Sequence, residues 1–160
     1  MWRFAHYCDT AWVTRYFEDY VQGVTVDCGS VQVDAASIIE FAKNYDPQPF
    51  HTDPDIDGPY GGLIASGWHT VSLAMRQVVD AYLSPESSLG GSGVDELRWP
   101  APVRPGDTLR FRATVLSARK SESKPDRGII RTLVEGVNQN DVTILTLNVV
   151  NFIRVRPIAT

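Results

Sequence analysis

The sequence predicts a single α+β domain in which a curved antiparallel sheet wraps around one long apolar helix. Three observations predict it: apolar residues at helical spacing over about residues 64–83, strand patterns over residues 107–155, and a length of 160 residues, which suits one domain. Antiparallel sheets commonly bury one face, and the long helix is the element available to cover it. We expect residues 16–160 to form this domain and residues 1–15 to be an N-terminal extension.

The first part of the domain carries shorter elements. Residues 24–26 and 31–33 have the composition of short strands, which we expect to complete the sheet. Asp34 is a suitable N-cap, and apolar side chains at helical spacing after it predict a helix over residues 35–44.

The long helix is the most apolar element of the chain. At about 20 residues it would be about 30 Å long, the span of a small domain, so other elements must cover it. Ser84 and Pro85 end it, and the residues 87–93, rich in glycine and serine, predict a loop. The residues that define its helical spacing are Ile64, Trp68, Val71, Ala74, Met75, Val78, Val79 and Tyr82.

Strand patterns cover most of the remaining chain, over residues 94–99, 107–116, 128–138 and 142–155. In the second of these, apolar residues alternate with arginine and threonine, as in a strand with one buried face. Residues 117–127 predict a charged connection. A strongly curved sheet wrapped around one buried helix is the architecture called the hotdog fold.

The composition excludes several classes of protein. A net charge of -4 argues against nucleic-acid binding, which usually needs a basic stripe. No apolar run reaches the roughly 18–20 residues of a membrane span, and no signal-peptide pattern is present. Cys8 and Cys28 match no metal or redox spacing; we expect two reduced thiols, with a disulfide between them as the alternative. These observations predict a soluble cytoplasmic protein.

Asp46 and His51 are the first candidates for chemistry. They lie five positions apart in a loop that Pro47 and Pro49 stiffen. Histidine can move a proton near neutral pH, and a neighbouring carboxylate can orient it or hold a water beside it. The alternative is a hydrogen bond between the two side chains that only staples the loop.

Gly67 is the second candidate, because it lies near the predicted start of the long helix. The N–H groups of the first helical turn have no partner within the helix, and the helix dipole favours negative charge there. A glycine would let a carbonyl oxygen approach closely and would make an oxyanion hole. The alternative is a glycine needed only for tight packing of the helix on the sheet.

Other features predict no chemistry. Residues 53–58 mimic the start of a calcium-binding loop, but the twelfth position is Ile64 where a glutamate is required. We therefore interpret this segment as an exposed acidic turn and expect no metal site. His69 is expected to be a packed residue of the long helix, and Arg104 a solvated cation like Arg98.

Three runs of sequence resemble the MaoC-like dehydratase family, which includes the (R)-specific enoyl-CoA hydratases. They are F-A-K-N-Y-D-P-Q-P-F-H-T-D-P, G-G-L-I-A-S-G-W and R-W-P-A-P-V-R-P-G-D-T-L, and the resemblance covers about Tyr16 to Arg156. It implies that Asp46 and His51 activate a water molecule. It also implies that the N–H of Gly67 donates to the carbonyl oxygen of a thioester.

Two positions depart from the family pattern. Gln48 stands where D-x-N-P-x-H has asparagine, and Ser66 stands where a histidine usually precedes the helix glycine. Both changes are expected to reshape the pocket without removing the Asp, the His or the backbone donor. We expect Gln48, Phe50, Ser66 and Trp68 to contact the substrate.

The resemblance implies hydration of a trans-2-enoyl thioester to the (R)-3-hydroxyacyl product, or the reverse dehydration. The acyl group would be carried by coenzyme A, which enters as part of the substrate, or by an acyl carrier protein, and no other cofactor is implied. A homodimer or a dimer of dimers is expected, with neither nucleic acid nor membrane as a partner. The alternatives are a thioesterase on the same fold and a non-catalytic acyl-thioester binding module, which the departures at Gln48 and Ser66 would favour.

Overall fold

The computed structural model of this chain describes residues 14–158. A 3₁₀ turn covers Phe17–Asp19, and three helices and five strands follow it. The helices are α1 (Ala35–Tyr45), α2 (Pro49–Thr52) and α3 (Gly67–Ala81), and the strands are β1 (Thr25–Gln32), β2 (Ser88–Arg98), β3 (Thr108–Lys120), β4 (Arg127–Val137) and β5 (Thr143–Arg154).

The five strands form one antiparallel sheet in the order β1-β3-β4-β5-β2. In β3 the apolar residues Leu109, Phe111 and Ala113 are buried, whereas Arg110 and Arg112 are exposed. The apolar face of α3 packs against this buried side, so the sheet and the helix share one core. The predicted α+β fold, with a sheet covering a central helix, is confirmed.

Helix α3 is shorter than predicted. It begins at Gly67, with Ser66 as its N-cap, and ends at Ala81, so it has 15 residues. Ile64 and Ala65 lie in the range predicted as helix, but they are buried in backbone that is neither helix nor strand. The N–H of Ala65 donates to the carbonyl of Val103 at 2.8 Å, which holds this segment in the core. The burial of Ile64 was therefore predicted correctly, but the backbone that buries it was not. Trp68 and Met75, which were predicted on the same covered face of the helix, are exposed within this chain.

The predicted loop over residues 87–93 is wrong, because β2 begins at Ser88 and pairs with β5. The pairing of β2 with β5 shifts register between Ser88 and Gly91 and again between Gly91 and Gly93. A Cβ on Gly91 would lie 2.5 Å from the carbonyl oxygen of Val150, so the close approach of β5 requires glycine there. A composition typical of a loop here marks an irregular edge strand.

Smaller differences have similar causes. The two strand segments predicted before α1 are one strand, β1, with an irregularity between Asp27 and Ser30. The predicted charged connection is shorter, since β3 continues to Lys120. The loop after α1 contains α2, which Pro49 begins, because proline is well suited to the first position of a helix.

The predicted extension, residues 1–15, lies mostly outside the described residues. Arg15 is described, and its guanidinium donates to the carbonyls of Ala81 at 2.5 Å and Tyr82 at 3.2 Å, at the C-terminal end of α3. Within residues 14–158, every helix is too short or too polar to cross a bilayer.

Candidate active site

The backbone between α1 and α3 brings Asp46 and His51 together. Asp46 is the C-cap of α1, and the single turn of α2 places His51 back towards it. Gln48 is the N-cap of α2, and Pro49 fixes the start of that helix. The five-residue spacing seen in the sequence is thus one end of a helix, a two-residue link and one helical turn.

The imidazole of His51 is held in one orientation. Its side chain is 5% exposed, and Nδ1 lies 2.8 Å from the carbonyl oxygen of Ile64. A carbonyl can only accept, so Nδ1 carries the hydrogen of this bond and donates it. In the neutral ring Nε2 then has a free lone pair, and it lies 3.4 Å from Oδ2 of Asp46. The carbonyl of Ile64, in the irregular segment before α3, therefore fixes the tautomer of this histidine.

The carboxylate of Asp46 accepts two short hydrogen bonds. The hydroxyl of Ser66 donates to Oδ2 at 2.7 Å, and the amide of Gln48 donates to Oδ1 at 2.7 Å. The hydrogen bond from Ser66 is the largest of the effects that lower the pKa of Asp46. Burial acts in the opposite direction, and the hydrogen bond from Gln48 and the electrostatic effect of His51 lower the pKa further. Asp46 is thereby kept ionised beside a histidine lone pair.

Gly67 lies at the first position of α3, where its N–H has no partner within the helix. A Cβ on Gly67 would lie 2.5 Å from Cε2 of Trp99, so the indole ring rests directly on the glycine. This contact gives a packing reason for glycine at position 67, as the alternative interpretation expected. The same position leaves a first-turn donor next to the cavity described below.

A cavity of about 420 Å³ connects these groups. All seven residues that the sequence assigned to the site line it: Asp46, Gln48, Phe50, His51, Ser66, Gly67 and Trp68. Sequence reasoning missed Tyr60, Trp99 and Val103, which also line it. Trp99 and Val103 lie within the run R-W-P-A-P-V-R-P-G-D-T-L, whose resemblance to the family was the available signal for them.

Four aromatic side chains, those of Phe50, Tyr60, Trp68 and Trp99, line the cavity. Phe50 contacts the rings of His51 and Tyr60 edge-to-face, with centroids 4.5 Å and 5.3 Å apart. Trp68 contacts Trp99 in the same way at 5.5 Å, and both indoles are substantially exposed. These rings make a wall that would exclude water from part of a bound ligand.

Arg104 holds one part of this wall. Its guanidinium donates to the backbone carbonyls of Tyr60 and Gly61. The prediction of a solvated side chain is therefore incomplete, because Arg104 is only partly exposed and fastens the loop that carries Tyr60.

His69 and the acidic segment lie outside this cavity. His69 is 6% exposed and stacks on Phe41 at 4.8 Å between centroids, which confirms that it is a packed helix residue. In the acidic segment the N–H of Asp55 donates to Asp53 at 2.9 Å, as in a local turn. Within the described part of the chain, no three His, Cys, Asp or Glu side chains converge as metal ligands would.

Known structures have the same architecture. A MaoC-like dehydratase from Rhodospirillum rubrum has 36% sequence identity and a TM-score of 0.84, covering 91% of this chain and 100% of that chain. The (R)-hydratase from A. caviae, involved in PHA biosynthesis, has a TM-score of 0.69 over 87% of this chain and 99% of its own. A Mycobacterium tuberculosis protein with a double hotdog fold has a TM-score of 0.73 over 91% of this chain and 46% of its own.

The last two structures have 21% and 19% sequence identity to this chain, so they establish the fold, which is a hotdog as predicted. The sequence itself carries the family assignment. Residues 19–138, well over half of the chain, match the model of the MaoC like domain. Together with the R. rubrum structure, this match shows that the chain belongs to the MaoC-like dehydratase family.

Proposed function

We propose that this protein adds water to the double bond of a trans-2-enoyl thioester, or removes water in the reverse direction. The observation that carries this proposal is the pair of acceptor atoms in the cavity wall, Nε2 of His51 and Oδ2 of Asp46, which are 3.4 Å apart. Membership of a dehydratase family and structural likeness to an (R)-hydratase support the same chemistry. The (R)-3-hydroxyacyl configuration of the product is part of the proposal.

The two acceptors require a hydrogen-bond donor between them. Nδ1 of His51 donates to Ile64, so Nε2 presents a lone pair, and Asp46 is held as a carboxylate. One water molecule can donate one hydrogen to each atom, because its oxygen can lie about 2.8 Å from both while they are 3.4 Å apart. Both hydrogens of such a water are engaged, and its lone pairs are free to attack a substrate.

His51 is the better base of the pair. Neutral imidazole accepts a proton near neutral pH, whereas the donors around Asp46 lower the pKa of its carboxyl group. In the addition, the water oxygen bonds to the β-carbon as His51 takes one of its protons. The electrons of the carbon–carbon double bond move to the thioester oxygen as an enolate. His51 then gives the proton it took to the α-carbon, which restores the neutral imidazole and completes the addition of one hydrogen and one hydroxyl group.

The N–H of Gly67 would stabilise the enolate oxygen. It is at the N-terminus of a 15-residue helix, where the dipole favours negative charge, and it is next to the aromatic wall of the cavity. The reaction needs no metal or redox cofactor, since the thioester carbonyl itself makes the α-carbon acidic. Coenzyme A, or an acyl carrier protein, would be present only as part of the substrate.

We further propose that two copies of this chain form a homodimer, as the first unit of any larger assembly. Strand β2 is an edge of the sheet and is mostly exposed. Val94 on β2 and Trp68 and Met75 on α3 are exposed apolar side chains on neighbouring elements, and a second copy would cover them. Light scattering of the wild type and of Val94→Asp tests this, with a dimer expected for the wild type and a monomer for the variant. A wild-type monomer at micromolar concentration would contradict it.

The proposed reaction is tested by the absorbance of the enoyl-thioester band when purified protein meets crotonyl-CoA and longer or branched enoyl-CoAs. Loss of absorbance without release of free thiol supports hydration. Release of thiol from these or from saturated acyl-CoAs would replace the proposal with thioester hydrolysis. Ligand-dependent thermal stabilisation with no turnover of any substrate would replace it with a binding module. A cytoplasmic location is retained as a prediction alone.

A further inference from the structure

We propose that Ser66 is a positioning residue, whose hydroxyl group fastens the Asp46 carboxylate to the N-terminus of α3. This inference rests on the proposed hydration reaction and deepens it. It gives Ser66 a role other than the substrate contact expected from sequence.

The direction of the hydrogen bonds at Ser66 follows from its partners. Ser66 is 1% exposed and caps α3, where its Oγ accepts the N–H of Trp68 at 3.3 Å. Its single hydrogen points to Oδ2 of Asp46 at 2.7 Å, an atom that can only accept. Both the hydrogen and one lone pair of the hydroxyl are therefore engaged by the protein itself.

The bond reaches the reactive oxygen of the carboxylate. Oδ2 is also the oxygen that lies 3.4 Å from Nε2 of His51, whereas the amide of Gln48 binds Oδ1 from the exposed side. Ser66 immediately precedes Gly67 in the chain. One hydroxyl thus sets the distance between the carboxylate that holds the water and the backbone donor for the enolate.

The electrostatics agree with this geometry. The hydrogen bond from Ser66 is the largest influence on Asp46 and lowers the pKa of its carboxyl group against the opposing effect of burial. Among the described residues, His51 on α2 is the titratable side chain in contact with Asp46. Loss of the Ser66 hydroxyl should therefore raise the pKa of Asp46 towards its ordinary value.

The first test measures Asp46 directly and does not depend on activity. The carboxyl carbon of Asp46, labelled with ¹³C-aspartate and assigned with Asp46→Asn, is titrated by NMR in the wild type, Ser66→Ala and Ser66→Thr. We expect the midpoint to rise by about one pH unit or more in Ser66→Ala and to stay close to the wild-type value in Ser66→Thr.

A matched control separates this effect from simple loss of a helix cap. Asp34 caps α1 by accepting the N–H of Ser37 at 2.7 Å and lies outside the cavity lining. Asp34→Ala should lower thermal stability without moving the midpoint of Asp46. An unchanged midpoint in Ser66→Ala, or an equal shift in Asp34→Ala, would overturn the proposal.

The second test is the steady-state kinetics of enoyl-CoA hydration at neutral pH. Ser66→Ala should lower kcat/KM by about tenfold or more, because the carboxylate loses the hydrogen bond that places it, and Ser66→Thr should restore kcat/KM. A wild-type enzyme with no hydration activity would refute the proposed reaction, while the NMR titration would still decide the role of Ser66. An active enzyme whose kcat/KM is unchanged in Ser66→Ala would refute the positioning role alone.

Discussion

His51 and His69 are buried to almost the same extent, with 5% and 6% exposure, but they have very different surroundings. Nδ1 of His51 donates to a backbone carbonyl, and Nε2 faces a carboxylate in the wall of a cavity. Nδ1 of His69 has no hydrogen-bond partner among the described residues, and its ring stacks on Phe41. Burial alone therefore does not distinguish a candidate catalytic histidine from a packed one. The distinction is a fixed tautomer and a free lone pair that points into accessible space.

The largest expected effect on activity comes from replacing His51 or Asp46, the two members of the pair in the cavity. His51→Ala and Asp46→Asn should each lower kcat/KM for hydration by about 10²–10⁴, because each removes one of the two acceptors that hold the water. His69→Phe, which keeps an aromatic ring against Phe41, should retain activity within a few-fold of the wild type. Steady-state kinetics on folded variants would check all three.

Two controls make this comparison specific. Asp80→Asn removes a carboxylate from the exposed ion pair with Arg76 and should leave activity unchanged. Circular dichroism should show native secondary structure in every variant. Turnover near the wild-type rate in His51→Ala, or an equal loss in His69→Phe, would remove the basis for separating the two histidines.

The next effect concerns Gly67, where packing and chemistry both favour glycine. Gly67→Ala should destabilise the protein by about 1–3 kcal/mol, since the new methyl group would overlap the indole of Trp99. Adding Trp99→Ala removes that overlap, so the double variant should be about as stable as Trp99→Ala alone. Denaturant unfolding of the four proteins measures this coupling.

Activity in the same four proteins separates the two interpretations of Gly67. If the N–H of Gly67 donates a hydrogen bond to the thioester oxygen, a methyl group at position 67 should obstruct the approach of that oxygen. The double variant should then be at least about tenfold less active than Trp99→Ala alone. Equal activity of the two would mean that glycine is required only for packing against the indole.

The sequence predicted those parts of the fold that depend on local patterns. Alternating burial over residues 107–116 identified most of β3, and Asp34 marked the start of α1. The second half of β2 was predicted as a strand over residues 94–99, but its first half was missed because its glycines accommodate close contacts with β5, which no local pattern reveals. The start of α3 was misplaced because a buried irregular segment and a buried helix have similar composition.

The candidate site also has features that the sequence predicted and features that only the folded chain shows. Spacing, prolines and family resemblance identified Asp46 and His51 as candidates, and the structure places them in one cavity. The bond from Ser66 to Asp46 joins residues 20 positions apart, and Trp99 reaches Gly67 from beyond β2. Both contacts depend on the packing of α3 against its surroundings, so they could be found only from the folded chain.

The smallest expected effect is on the pH dependence of stability, where the two regions titrate separately. Burial lowers the pKa of His69 in the folded state, against an opposing influence of Asp34, so unfolding takes up a proton at low pH. Stability should therefore fall as pH drops below the unfolded value of about 6.5, by at most about 1.4 kcal/mol per pH unit. His69→Phe should flatten this part of the profile.

Asp46 affects the stability of the protein at lower pH than His69 does. Its folded pKa is also lowered, so its contribution is present above the unfolded value of about 3.9 and disappears as pH falls through the folded value. Thermal unfolding of the wild type, His69→Phe and Asp46→Asn between pH 3 and pH 8 would resolve the two windows. The two variants should change different parts of the profile, because His69 and Asp46 titrate in different pH ranges and share no hydrogen bond. A loss of stability between pH 5 and pH 6.5 that persists in His69→Phe would assign that transition to another group.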